Sequence, residues 1–171
     1  MLEDGYRTPV GAAGHSHTDY KEPLMQIPEW LRRWGPVVLG GMAIWVLSTE
    51  WFSDKQTGLV VIPVLHWLFP WMKPRMLHLG HLAVRKLAHV CVYFCFGLLL
   101  LRAMRGNQPG WQWKWALGAV GIAAAYAALD EFHQSFVPLR HPSMRDVCLD
   151  AFGAIAAQLT LWWHSRTTAK H

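Results

Sequence analysis

Hydrophobic residues are concentrated in four long runs that are separated by short polar segments. The runs cover residues Trp34–Phe52, Arg85–Met104, Trp113–Phe132 and Asp146–His164. The uncharged centre of each run has about 15 residues, whereas a helix needs about 20 mainly apolar residues to cross a bilayer. Each run can therefore span only if some charged side chains lie near the hydrocarbon boundary. The pattern predicts an all-α integral membrane bundle of four transmembrane helices.

A fifth apolar stretch, Leu59–Trp71, lies between the first and second runs and contains two prolines. It is too short to span a bilayer, so we expect a short interfacial or re-entrant segment. Residues 1–33 begin with a polar stretch that lacks the apolar centre of a signal peptide, and we interpret them as a flexible cytoplasmic N-terminal tail. The transmembrane domain then covers residues 34–165, and residues 166–171 form a short C-terminal tail.

The composition agrees with a membrane protein. Of 171 residues, 53% are hydrophobic and 16% are charged, against about 25% charged residues in typical soluble proteins. The net charge of +5 does not indicate nucleic-acid binding, because the basic residues are scattered between apolar runs. Cys91 and Cys95 are interpreted as packing residues, since no second Cys/His pair accompanies them. We therefore predict no metal and no cofactor.

Polar residues accumulate at the junction of the third and fourth runs. This polar cluster consists of Asp130, Glu131, His133, Gln134, Arg140, Ser143, Arg145, Asp146 and Asp150. Ionisable side chains next to membrane helices are energetically expensive, and they more often serve a function than not. The polar cluster is therefore the first place to look for a site.

Helical spacing groups these residues with others from the second run. Three polar stripes result, which are Lys86–His89–Tyr93, Tyr126–Asp130–Gln134 and Asp146–Asp150–Gly153. Each stripe lies near the same end of its helix, so we expect the three to face one another, with Arg140 in the adjoining loop. Glycine permits close contact between helix backbones, and we expect such contacts at Gly97, Gly121 and Gly153.

The chemistry of the stripes suits an anionic ligand. Lys86 and Arg140, with Arg85 as a further candidate, can hold a phosphate or a carboxylate. In an enzyme, Asp130 would act as general base and His89 as proton carrier. The predicted ligand-binding residues are Lys86, His89, Tyr93, Asp130, Glu131, Gln134, Arg140, Asp146 and Asp150.

A purely structural role for the polar cluster is also open. Its opposite charges nearly balance, so they can neutralise one another and hold the helices together. Ser143-Met144-Arg145-Asp146 matches a helix capping box, which favours capping over catalysis for Ser143 and also explains Asp146. Glu131 lies off the Asp130 face, so a contact with loop backbone or solvent is an alternative to ligand binding.

The spaced polar residues resemble the VanZ-like family. The motif residues are Arg85-Lys86, His89 and Tyr93, then Asp130-Glu131, Gln134 and Arg140, then Ser143, Asp146 and Gly153, preceded by Leu47-Ser48-Thr49. The resemblance covers roughly residues 37–161, and Asp150 stands where the family pattern suggests Asn. It implies a small polytopic bacterial membrane protein, whose namesake is linked to teicoplanin resistance.

Three functions remain open at this point. The first is binding or transport of an amphiphilic anionic ligand, such as a lipid-linked envelope precursor or a lipoglycopeptide, in an outward-facing polar pocket. The second is an integral-membrane enzyme acting on such a lipid, and the third is a structural or accessory subunit. A slight excess of Lys and Arg beside the termini and the Arg102–Lys114 loop predicts that both termini are cytoplasmic. The family resemblance implies that the membrane is the inner membrane of a bacterium.

Overall fold

A computed structural model describes residues 27–49, 53–136 and 143–168. Within these ranges the chain forms helices and no strands, which confirms the all-α prediction. The helices are α1 (Glu29–Leu47), α2 (Asp54–Leu68), α3 (Pro74–Arg105), α4 (Trp113–Gln134) and α5 (Met144–Thr168).

The central element of the fold is α3, which packs against each of the other four helices. It begins with Pro74 in its first turn, where a missing N–H breaks no hydrogen bond, and it is followed by Gly106 with a φ of 58°. With 32 residues it is about 48 Å long, whereas the hydrocarbon core of a bilayer is about 30 Å thick. Its N-terminal part therefore extends beyond the bundle and packs against α2.

The helix bounds differ from the hydrophobic runs at two places. The second run begins at Arg85, but α3 begins at Pro74, because the polar residues between them are compatible with a helix although they are not apolar. The first helix begins at Glu29, inside the stretch assigned to the tail. The predicted interfacial or re-entrant segment is itself helical, since α2 covers most of Leu59–Trp71. The division into tails and a transmembrane domain stays a prediction.

Small residues set the distance between α3 and α5. A Cβ atom on Gly97 would lie 3.1 Å from Ala154 Cα, and one on Gly153 would lie 2.5 Å from the carbonyl oxygen of Val90. The predicted close approach is confirmed at these two glycines. It is wrong at Gly121, where a Cβ would meet no described atom within 4 Å.

The distribution of polarity is unusual for a water-soluble protein. Large apolar side chains on the outside of α1, α4 and α5 are exposed, including Leu39, Leu117 and Leu159. Polar side chains such as Asp130 and Asp150 are buried. Among the described residues, α3 and α4 are long and apolar enough to cross a membrane. This arrangement suits a lipid environment, in which the burial of apolar surface gains no free energy from the hydrophobic effect.

Candidate functional site

The polar residues meet at one end of the bundle, which we call the polar end. It contains the last turn of α1, the middle of α3, the end of α4 and the beginning of α5. The opposite end is held by contacts between Arg33 and Gly106 and between Glu29 and Asn107. Because the helices alternate in direction, residues far apart in sequence lie together at the polar end.

Two ion pairs join α3 to α5. Lys86 Nζ lies 2.7 Å from Asp146 Oδ1, and His89 Nδ1 lies 3.2 Å from Asp150 Oδ1. The two predicted stripes therefore face each other, as their spacing requires. Asp150 is only 1% exposed, whereas Lys86 is more than half exposed. The Lys86–Asp146 pair is thus the more exposed of the two, while in the other pair His89 is 32% exposed and Asp150 is buried.

Asp130 links α4 to α1 from a buried position. Its Oδ2 atom accepts hydrogen bonds from the hydroxyl of Ser48 at 2.6 Å and from the amide of Gln134 at 2.8 Å. Its Oδ1 atom is also buried, and it has no hydrogen-bond partner among the described residues. The carboxylate therefore has one oxygen engaged in hydrogen bonds and one without a partner in the part of the chain that the structure describes.

Glu131 has a different role from Asp130. Its Oε2 atom accepts a hydrogen bond of 2.7 Å from the backbone N–H of Ser143, and the Ser143 hydroxyl accepts one of 3.2 Å from the backbone N–H of Arg145. The serine therefore caps α5, as the capping-box pattern predicts. Asp146 does not complete the box, because its carboxylate binds Lys86 and Glu131 supplies the acceptor from α4.

Tyr93 lies between the two buried aspartates. Its side chain is 1% exposed, and its hydroxyl has no hydrogen-bond partner among the described residues. Asp130, Glu131 and Asp150 all lie within electrostatic range of this hydroxyl. Polar groups of α3, α4 and α5 therefore converge in the interior of the polar end.

A second polar group joins α2 to α3, and the sequence interpretation missed it. Arg85 Nη1 lies 2.7 Å from Asp54 Oδ1, and His81 Nε2 lies 3.1 Å from Thr57 Oγ1. His81 is buried, with its Nδ1 atom 3.6 Å from Asp54 Oδ1. Asp54 and Thr57 are spaced i, i+3 on α2, and His81 and Arg85 are spaced i, i+4 on α3, so each helix has its two polar residues on one face. This spacing was a usable signal, but α2 had no predicted partner helix.

A cavity of about 130 Å³ lies between α1, α2 and α3, close to these polar groups. Its walls are mainly apolar, and its polar lining comes from Ser48, Thr57, Arg85, His89 and Tyr93. Among the described residues, the lining consists of Ile44, Leu47, Ser48, Thr57, Arg85, Ala88, His89, Val92 and Tyr93. An apolar cavity with a few convergent polar groups is the usual form of a small-molecule site.

Only part of the predicted ligand set lines this cavity. His89 and Tyr93 do, whereas the other described members of the set bind one another or cap a helix behind it. Arg140 lies outside the described residues. The ligand-binding and catalytic roles of the set stay predictions. Arg85, which was a subsidiary candidate, is the cation that lines the cavity.

The described residues contain no group of three or more His, Cys, Asp or Glu side chains placed to hold a metal ion. The chemistry at hand consists of a guanidinium group, an imidazole and three hydroxyls at the cavity wall. The guanidinium group and the imidazole can donate hydrogen bonds to an anionic headgroup, while the apolar wall can contact a hydrocarbon tail.

Comparison with known proteins supplies a family. A family model described as VanZ/LLP1 matches residues 38–164, which is well over half of the chain. Searches among curated proteins and among solved structures returned no match. The match confirms the resemblance seen in the polar motifs, and α3 and α4 have the length and composition of membrane spans. This protein is therefore a membrane protein that belongs to the VanZ/LLP1 family.

Proposed function

We propose that the chain crosses a bacterial inner membrane four times, through α1, α3, α4 and α5, with α2 at the membrane interface. Both termini are then cytoplasmic, and the polar end faces outward. The exposed apolar surfaces of α1 and α5 support this arrangement, since they match those of the two helices with clear spanning character. Charged residues at the ends of α1 and α5 lower their hydrophobicity, and these can reach the headgroup region.

We further propose that the protein binds an amphiphilic anionic ligand, such as a lipid-linked envelope precursor or a lipoglycopeptide. The observation that carries this proposal is the cavity, in which one guanidinium group stands against mainly apolar walls. Arg85 forms the anion contact, because its planar fork matches phosphate or carboxylate oxygens. His89 provides a further donor, and the apolar wall accommodates the first part of the tail.

Replacement of Arg85 by Gln tests this proposal. We expect at least about a tenfold loss of affinity for an anionic lipid, because a hydrogen-bonded charge contact is worth about 1.5–3 kcal/mol. Binding is measured by native mass spectrometry of the detergent-solubilised protein with dioleoyl phosphatidic acid. The matched control is Arg105→Gln, the same change at an exposed position at the C-terminal end of α3, away from the polar end. Equal affinities of the two variants would contradict the assignment.

The family's link to glycopeptide resistance extends the proposal to the cell. We propose that expression of this chain reduces susceptibility to teicoplanin in a glycopeptide-sensitive host, through ligand binding at the polar end. The measurement is the inhibitory concentration with wild type, with Arg85→Gln and with empty vector. A host that is equally sensitive in all three cases would remove resistance from the proposal and leave lipid binding untouched.

A structural role is the second candidate, and it has its own observation. Most charges of the polar end are already paired, as Lys86 is with Asp146 and His89 with Asp150. A scaffold protein needs no more than this neutralisation. If the cavity binds no anionic lipid while substitutions of these pairs lower the melting temperature, the scaffold function replaces ligand binding.

A further inference from the structure

Helix α2 is held over the cavity by two polar contacts at its beginning. These contacts, Asp54–Arg85 and Thr57–His81, have lengths of 2.7 and 3.1 Å, and we call them the α2 latch. Thr57 and Arg85 are also part of the cavity wall. One residue of each contact that fastens α2 to α3 is therefore also a residue that a ligand in the cavity would touch.

Few apolar side chains of α2 are fully buried. Gly58 is the buried residue of this helix, while Leu59, Val60 and Trp67 are exposed by 68%, 67% and 79%. Its main packing partner among the described helices is α3. Segments with few buried apolar contacts open at low free-energy cost. The α2 latch thus acts together with the half-buried side chains of Val61, Ile62 and Leu65 to keep α2 in place.

Arg85 already has an anionic partner of the kind that a ligand would supply. The Asp54 carboxylate occupies Nη1, one of the two terminal nitrogens of the guanidinium fork. A phosphate group needs both nitrogens for a bidentate contact, so it competes with Asp54 for this position. Asp54 is 48% exposed, which means that water can solvate its carboxylate once it is displaced. Exchange of one anion for the other leaves no charge buried without a partner.

We infer that Asp54 is an internal competitor for the anion site, and that a phosphate-bearing lipid headgroup displaces it from Arg85 and thereby releases α2 from α3. This inference rests on the proposed ligand function and adds a ligand class and a conformational consequence to it. Phosphate is favoured over carboxylate because a phosphate monoester carries close to two negative charges, against one on the Asp54 carboxylate that it must displace from Arg85.

The test uses the full-length protein in neutral detergent with dioleoyl phosphatidic acid as probe. Asp54→Asn removes the competing charge, and we expect it to bind the probe up to about fivefold more tightly, since partly exposed ion pairs are worth about 0.2–1 kcal/mol. Asp54→Glu keeps the charge and should bind like wild type. Lys55→Gln is the matched control on the same turn. Oleic acid, diolein and inorganic phosphate distinguish a phosphate lipid from a carboxylate, a neutral lipid and a free anion.

Hydrogen–deuterium exchange of the α2 amides supplies the second measurement. We expect faster exchange in α2 when the probe binds to wild type, and fast exchange without probe in Asp54→Asn. If the probe binds but Asp54→Asn binds no tighter, or if α2 becomes more protected on binding, the latch inference is overturned and the ligand function survives. If neither wild type nor Asp54→Asn binds any of the anionic probes, both are overturned.

Discussion

The buried carboxylate of Asp130 shows how single residues determine the character of the polar end. One oxygen accepts a hydrogen bond from Ser48, which joins the end of α1 to α4, and another from Gln134 within α4, and the other oxygen is buried without a described partner. The hydroxyl of Tyr93 is in the same state and within electrostatic range. Buried polar atoms without partners cost about 1–3 kcal/mol each. Such groups are expected where binding is more important than stability.

Two substitutions of Asp130 separate its structural role from its charge. Asp130→Ala leaves the Ser48 hydroxyl and the Gln134 amide without their acceptor, so we expect a loss of about 1–3 kcal/mol in the free energy of unfolding. Asp130→Asn keeps an acceptor oxygen and removes a buried charge, so its stability should be close to that of wild type or above it. Thermal unfolding in detergent measures both.

The same pair of variants addresses the enzyme alternative. If Asp130 is a general base, Asp130→Asn abolishes turnover of a lipid substrate while the ligand still binds. If the Asp130→Ala variant melted at the same temperature as wild type, this result would contradict the hydrogen bonds that Asp130 accepts from Ser48 and Gln134.

At the scale of the helices, the contact between α3 and α5 positions the ion pairs. Gly153 lies directly against the backbone of α3 at Val90, one turn from Asp150. The short distance between the two helices brings His89 within reach of Asp150. Two side chains accept backbone N–H groups at the start of α5. The Ser143 hydroxyl accepts that of Arg145, and Glu131 of α4 accepts that of Ser143. Backbone contacts and caps thus determine the height and rotation of α5 in the bundle.

Gly153→Ala tests this contact. The added methyl group would lie 2.5 Å from the Val90 carbonyl oxygen, so α3 and α5 must separate, and we expect a loss of about 1–3 kcal/mol in the free energy of unfolding. The matched control is Gly121→Ala in α4, where space is open and alanine favours a helix by about 0.5–1 kcal/mol. The measurement is the melting temperature in detergent. A Gly153→Ala protein as stable as Gly121→Ala would show that the two helices do not touch there.

Several polar side chains lie inside the described bundle beside its apolar core, and many large apolar side chains lie on its outside. His81, Asp130, Asp150 and Gln158 are buried, while large apolar side chains cover the outer surfaces of the helices. In lipid this arrangement is favourable, because polar groups find partners only inside the protein. It also explains why α1 and α5 expose apolar surface although their charged ends lower their overall hydrophobicity. The number of membrane crossings follows from whether these two helices span.

Cysteine labelling distinguishes four crossings from two. The starting protein has Cys91, Cys95 and Cys148 replaced by Ala. Three variants of it each carry one new cysteine, by Lys73→Cys, Gln108→Cys or Thr168→Cys. Four crossings put residue 168 on the same side as residue 108, whereas two crossings, by α3 and α4 alone, put it on the side of residue 73. The readout is modification by a membrane-impermeant maleimide in intact cells.

We expect label on residue 73 in intact cells, and on residues 108 and 168 only after permeabilisation. Label on residue 168 together with residue 73 would contradict the four-span arrangement. Label on residues 108 and 168, but not on residue 73, in intact cells would reverse the orientation.

Features that depend on local periodicity were predictable from the sequence by itself. The apolar runs predicted α-helices, the i, i+4 spacing predicted that Asp130 and Gln134 lie on one face, and the Ser143 pattern predicted a cap. The order and spacing of the polar motifs also indicated the family. These properties follow from helix geometry, which repeats every 3.6 residues whatever the helix packs against.

The tertiary structure alone decided which faces meet. Ser48 binds Asp130 across 82 positions of sequence, and Arg85 binds Asp54 across 31. Periodicity assigns each residue to a face of its own helix, but it does not determine the helix that this face contacts or the height at which it does so. Those depend on the close packing of α3 with α5 and on the position of α2 beside α3. For this reason the cavity and the α2 latch became visible only in the folded chain.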